Sequence, residues 1–175
     1  SGHILVYAFD VLMQIYESQG YTQRDAAVAI IENNLYGLDI DNRAYQLAYF
    51  AVMMKGRKYD RRFLVKGISP KVFSIKESNG LSKTHLNYFG HSLADSERNV
   101  AVKEMEYLLQ VFTDAKEYGS ILNINPCDWR LLKQFAEDLR IEEQLTMESM
   151  DANKDMFKYL DIITVAEAMA QKYDV

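Results

Sequence analysis

The chain has 175 residues, of which 49% are hydrophobic and 26% charged, enough length for one domain with a real core and too apolar a composition for a disordered chain. No window approaches the roughly 18 to 20 uninterrupted apolar residues of a membrane span, and the opening "SGHILVYAFD" lacks the basic start and small-residue cleavage site of a signal peptide, so a cytoplasmic protein is expected. A single cysteine, Cys127, excludes an intramolecular disulfide and a cysteine metal cluster, and a net charge of −5 argues against a chain that binds nucleic acid through its overall charge.

In chain order, Ile4, Ala8, Val11, Leu12 and Ile15 keep a 3.6-residue period, which predicts an amphipathic helix that ends near Gly20. Thr22, with Asp25 three residues on, is placed as the N-cap of a second helix, "TQRDAAVAIIENN". The apolar run from Leu35 to Ile40 is too short and even for a helix and fits a buried strand of a parallel sheet. Asp41 is then placed to cap a helix whose face Ala44, Leu47, Ala48, Ala51 and Val52 is small and apolar. That order of elements is an α/β order.

Pro70 followed by "KVFSI" predicts a second short strand. Beyond "ESNG" the pattern becomes helical: one long helix from about Asp95 to Tyr118, another carrying Trp129, Leu132, Phe135, Ala136 and Leu139, and a last from about Ala152 to Lys172 with Met156, Leu160, Ile163 and Met169. The opening Ser1-Gly2-His3 and the close at Tyr173-Asp174-Val175 fall inside elements, so the chain is expected to be a fragment of something longer.

Lys55, Arg57, Lys58, Arg61, Arg62 and Lys66 fall within twelve residues, opposed by Asp60 alone. Such a cluster either complements a helix C-terminal dipole or contacts phosphate. The acids Glu137, Asp138, Glu142, Glu143, Glu148, Asp151 and Asp155 crowd the second half, which is expected to face away from any DNA. His3, His85 and His91 have no zinc-ligand spacing, so a metal is not expected.

Ligands of a parallel α/β sheet sit at the carboxyl ends of strands, and Asp39 stands at such an end. One carboxylate offers two oxygens at the spacing of a vicinal diol, so Asp39 can accept from both hydroxyls of a ribose, while Ile40, on the other face of the strand, can lie against a base. The alternative is a surface acid at a strand end. A dinucleotide fingerprint would need GxGxxG with the acid about 20 residues on; no GxGxxG exists, and Gly2 lies nearly twice that far from Asp39.

The opening "SGHILVYAFDVLMQIYESQGYTQRDAAVAIIENNLYGLDIDNRAYQLA" resembles the segment after the first cofactor motif of bacterial adenine-specific DNA methyltransferases, nearest to the large methylases of BREX phage-resistance and combined restriction-modification systems. In that family a "DPACGSGH" loop precedes the first helix and a "YGxDID" strand end follows it, and the closing "KYDV" resembles the start of "YDVVVTNPPY", cut before the catalytic tetrapeptide. The resemblance is specific over about the first sixty residues and the last four.

It implies a partial Rossmann-like methyltransferase fold, with residues 1–78 a cofactor-binding segment and 79–175 a mostly helical insertion leading back to a sheet strand. It implies S-adenosylmethionine as cofactor, with Gly2 as the last glycine of the cofactor loop, Asp39 on the ribose hydroxyls and Ile40 on the adenine. The family's acid after the third strand has no clear counterpart; Asp114 and Glu77 are candidates. The chemistry implied is displacement, the exocyclic amine of a flipped adenine attacking the sulfonium methyl group. The amine-binding loop lies outside this sequence, so the chain is expected to hold part of a cofactor site, no catalytic residue, and contact with DNA only through its parent protein. The competing reading is a non-catalytic helical interaction module on a Rossmann-like scaffold.

Overall fold

Helix α1 (His3–Ser18) buries a different stripe from the one its aliphatic residues suggest. Phe9 and Met13 are buried, with Leu5, Leu12 and Tyr16 packed beside them, whereas Ile4 (84% exposed), Val11 (40%) and Ile15 (52%) are left outside together with Tyr7 (72%). The helix carries two apolar stripes, Leu5-Phe9-Leu12-Met13-Tyr16 and Ile4-Tyr7-Val11-Ile15, both at helical spacing. The first holds the larger side chains, and burial free energy rises with apolar area.

The structure, a computed structural model, describes residues 2–139 and 147–171, and the chain divides into two units, 1–75 and 76–175. In the first unit, α2 (Gln23–Ala29) begins as expected. The Thr22 hydroxyl accepts from the Asp25 N–H at 3.2 Å and donates to the Asp25 carboxylate at 2.7 Å. The helix then widens into a π turn, Ile30–Asn34, closed by the Leu35 N–H donating to the Ile30 carbonyl at 3.1 Å. That wider turn points Ile30, Ile31 and Leu35 into one core with Phe9, Val52 and Phe63.

Strand β1 (Tyr36–Asp39) pairs in parallel with β2 (Lys71–Ser74), Tyr36 opposite Lys71 and Asp39 opposite Ser74, and one further bond runs from the Ile75 N–H to the Asp39 carbonyl at 2.9 Å. The expectation of a buried strand holds only for Leu35: Tyr36 is exposed and Gly37 to Asp39 are half-buried. A strand is buried on both faces only when layers cover both, and in the first unit the described helices that touch the sheet, α1 and α3, leave it partly open.

Helix α3 (Asn42–Tyr59) starts on the Asp41 carboxylate, which accepts from the Arg43 N–H at 2.7 Å, and buries Ala48, Val52 and Gly56. Gly56 is small for a reason of contact. A Cβ there would stand 2.7 Å from the Phe63 ring and 2.8 Å from Ile31 Cδ1, so a side chain would displace the Phe63 ring that the 3-10 turn Phe63–Val65 lays on the helix. Asp60 terminates α3 and ties that turn down. Its buried carboxylate accepts from the Arg62 N–H at 3.0 Å and meets Lys66 Nζ at 2.6 Å and Arg24 Nε at 3.7 Å.

The second unit is helical. Helix α4 (Asp95–Val111) turns Ala101, Met105, Leu108 and Leu109 inward. The single helix expected from Asp95 to Tyr118 breaks after Val111, because Asp114 sits in the left-handed region (φ 51°), and the chain resumes as α5 (Ala115–Tyr118). Asn79 holds that break, donating to the Asp114 carboxylate at 2.6 Å and accepting from its N–H at 3.0 Å. Helix α6 (Trp129–Glu137) and the long α7 (Met147–Gln171) close the unit. Phe89 lies 5.9 Å from the Phe135 ring and 5.4 Å from the Tyr159 ring, and pairs in an antiparallel bridge with Leu139. Lys172, the strand expected after it, Glu142 and Glu143 lie outside the described residues. No described helix is long and apolar enough to cross a membrane.

Lys66, the Arg62 N–H and Arg24 together hold the Asp60 carboxyl below its usual range, against burial, which pushes it up. A depressed carboxylate stabilises the fold above the unfolded-state pKa of about 3.9 and loses that contribution as pH falls through the folded value. Asp60→Asn is therefore expected to lower the melting temperature near neutral pH, with the gap to wild type closing below about pH 4. Thermal melts of both proteins across that range check it, and a gap independent of pH would show that the charge on Asp60 is not what stabilises.

Candidate functional site

The C-terminal end of β1 is where two helices begin, and two glycines let them come close. A Cβ on Gly37 would lie 2.9 Å from Leu5 Cδ1 and 3.3 Å from Val72 Cγ1, so the missing side chain admits α1 against the strand. Gly2, in the left-handed region (φ 77°) at the head of α1, would place a Cβ 2.7 Å from Ala48 Cα. The result is a hollow of about 350 Å³, lined among others by Gly2, His3, Tyr36, Gly37, Asp39 and Ala48.

Two neighbouring acids divide their work there. The Asp41 N–H donates to Asp39 Oδ1 at 2.9 Å, a short-range turn that orients the Asp39 carboxylate at the edge of the hollow. Asp41 spends its own carboxylate on the first turn of α3. Tyr36 is steadied from across the sheet: Lys71 Nζ donates to its hydroxyl at 2.8 Å and lies 4.8 Å from its ring centre.

Of the residues singled out from sequence, Gly2 and Asp39 meet at this hollow. Ile40 does not line it; its side chain is 53% exposed beside the Asp39 end. Asp114 and Glu77 belong to the second unit, where Asp114 is engaged with Asn79. Gly37, Tyr36 and Ala48 were not read as site residues. The glycine inside the strand of "YGLDID" was the available signal, since a glycine in a strand marks a close approach.

The cationic cluster is only partly available. Lys55 Nζ lies 2.7 Å from Asp10 and Lys66 Nζ 2.6 Å from Asp60, while Arg57 and Lys58 occupy the last turn of α3. Three acids of the second half have partners within the second unit: Asp138 accepts from Ser92, Asp151 meets Lys154, and Asp155 meets Lys158 at 2.6 Å and His85 Nδ1 at 3.6 Å. Burial, with the Glu104 carboxylate adding to it, pushes the Cys127 thiol up to about 11, so little thiolate exists near neutral pH. Among the described residues, no three His, Cys, Asp or Glu side chains converge as metal ligands do.

No protein-family model matches the chain. Individual proteins do. It is 37% identical over 177 residues to the adenine-specific methyltransferase PglX of Lacticaseibacillus casei (strain Zhang), a match covering 100% of this chain and 14% of that protein. It is 36% identical over 192 residues to the adenine-specific methyltransferase BrxX of Escherichia coli O9:H4 (strain HS), covering 99% of this chain and 16% of that protein. The chain thus spans a small part of the length of either relative. At that identity over its full length, the chain is similar to one segment of each of these two proteins, both of which are named adenine-specific methyltransferases.

Proposed function

We propose that this chain forms part of the cofactor-binding region of an adenine-specific DNA methyltransferase, which transfers a methyl group from S-adenosylmethionine to the exocyclic amine of adenine in phage defence or restriction-modification, in the cytoplasm. The observation that carries the reading is similarity along the whole chain to two proteins named as adenine-specific methyltransferases. That similarity runs through the second unit as well as the first, which favours this reading over a separate interaction module.

The hollow suits the cofactor on three counts. Gly2 and Gly37 let α1 close on α3 and on the strand, which brings the walls of the hollow together. Asp39 presents a carboxylate at the strand end, oriented by the Asp41 N–H, and each of its oxygens has lone pairs for more than one donor. Ile40 offers an exposed aliphatic surface beside it. In this reading Asp39 would accept from the two ribose hydroxyls, Ile40 would pack on the adenine, and Gly2 would let backbone approach the ligand. When bound, S-adenosylmethionine supplies the methyl group that the reaction transfers.

The Rossmann-like fold belongs to the same proposal. Its support is the parallel pairing of β1 and β2. The uncovered stripe Ile4-Tyr7-Val11-Ile15 on α1 also supports it, since helices of such folds lay an apolar face on a sheet wider than two strands.

Asp39→Ala in the parent enzyme is expected to weaken S-adenosylmethionine binding about tenfold to a hundredfold, because hydrogen bonds to a charged group are worth about 1.5 to 3 kcal/mol. Asp41→Ala should leave affinity unchanged and cost about 1 kcal/mol of stability through removal of the cap. Calorimetric titration beside a thermal melt of each variant measures both, and normal cofactor binding by Asp39→Ala would refute the ribose assignment.

The sequence contains no Asn-Pro-Pro-aromatic motif, so the chain on its own is expected to transfer no methyl group to DNA. Radiolabel incorporation above background would contradict this.

A further inference from the structure

We infer that Arg57, Lys58, Arg61 and Arg62 form a phosphate-contacting patch that holds the DNA backbone at the end of α3 remote from the hollow. Six cations fall between Lys55 and Lys66, and the fold withdraws two of them: Lys55 onto Asp10 and Lys66 onto Asp60. Asp60 is the one acid in that stretch; its carboxylate is buried and faces Lys66 and Arg24. The other four cations are exposed and, among the described residues, make no ion pair with a carboxylate. Lys58 rests over the Tyr59 ring at 5.4 Å, an aromatic contact that leaves its charge intact.

Complementing the helix dipole accounts for Arg57 and Lys58, which lie in the last turn. It does not account for Arg61 and Arg62, which follow the helix. These two sit on the turn that the Asp60 carboxylate clamps through the Arg62 N–H at 3.0 Å, so the residue that pairs with Lys66 also fixes the backbone that presents the arginines. Three of the four groups are guanidinium forks, whose paired N–H donors match phosphate oxygens. With a net charge of −5 on the chain, attraction to a polyanion has to be local.

An 18-residue helix is about 27 Å long at about 1.5 Å per residue. Phosphates held at its C-terminal end are therefore remote from the cofactor hollow, and the contact serves positioning without reading sequence. The choice of DNA as the polyanion rests on the methyltransferase reading above; the free cationic surface does not.

The test uses the full-length parent protein, duplex DNA with and without a methylation site, and affinity measured over a range of salt. Replacing all four residues by Gln should weaken binding to both duplexes by the same factor. It should also flatten the plot of log affinity against log salt by about 0.9 for each phosphate no longer neutralised. Replacing the three arginines by Lys should keep most of the slope. S-adenosylmethionine affinity, read on the same variants, should stay at its wild-type value, and the melting temperature of the Gln variant should fall only slightly, through the two charges lost from the helix end. An unchanged slope in the Gln variant overturns the patch. If the wild-type parent binds DNA with the expected slope but transfers no methyl group, the methyltransferase reading fails and the patch stands.

Discussion

Helix α1 can approach β1 and α3 only because two positions carry no side chain. At Gly37 a methyl group would press on Leu5 and Val72, and at Gly2 it would overlap the backbone of Ala48. With these close approaches made, Phe9 and Met13 reach the core shared with Ile30, Ile31, Val52 and Phe63, and the space left at the strand end is the hollow edged by Asp39. Burying a side chain the size of Phe9 is worth about 1.5 to 3 kcal/mol. The same tight fit thus supplies both packing and the shape of the site.

Helix α3 ties this arrangement together electrostatically. Its positive end begins at Asp41, next to Asp39; its negative end carries Arg57 and Lys58 and stops at Asp60. Each terminus has charges of the sign that its dipole favours. Acids therefore mark the end beside the hollow, and cations mark the opposite end, where Asp60 holds Lys66 in an ion pair and Arg57, Lys58, Arg61 and Arg62 stay exposed. A single helix consequently separates two surfaces of opposite character within the first unit.

What could be read from the sequence was whatever is decided by near neighbours. The Thr22 and Asp41 caps each depend on residues two or three positions away, and both are present. The short run before Asp41 was legible as a strand because polar residues bound it on both sides. The buried face of α1 was not, since two apolar stripes share one helix and only the rest of the core decides between them. The break at Asp114 escaped for a similar reason: Asn79, which holds it, is 35 residues away. At the candidate site Asp39 was legible as an acid at a strand end. Ala48 and Tyr36 were not, because they matter through elements that cross them, and sequence spacing carries no record of that.

The outer stripe of α1 has a bearing on how the polypeptide behaves in solution. Ile4, Tyr7, Val11 and Ile15 form an apolar strip along a helix, and among the described residues β1 and β2 each have one strand partner. Unpaired strand edges next to uncovered aliphatic surface are templates for pairing with another chain. Where no larger sheet covers them, pairing of two copies through these surfaces would make the apparent melting temperature rise with protein concentration instead of remaining a property of one molecule.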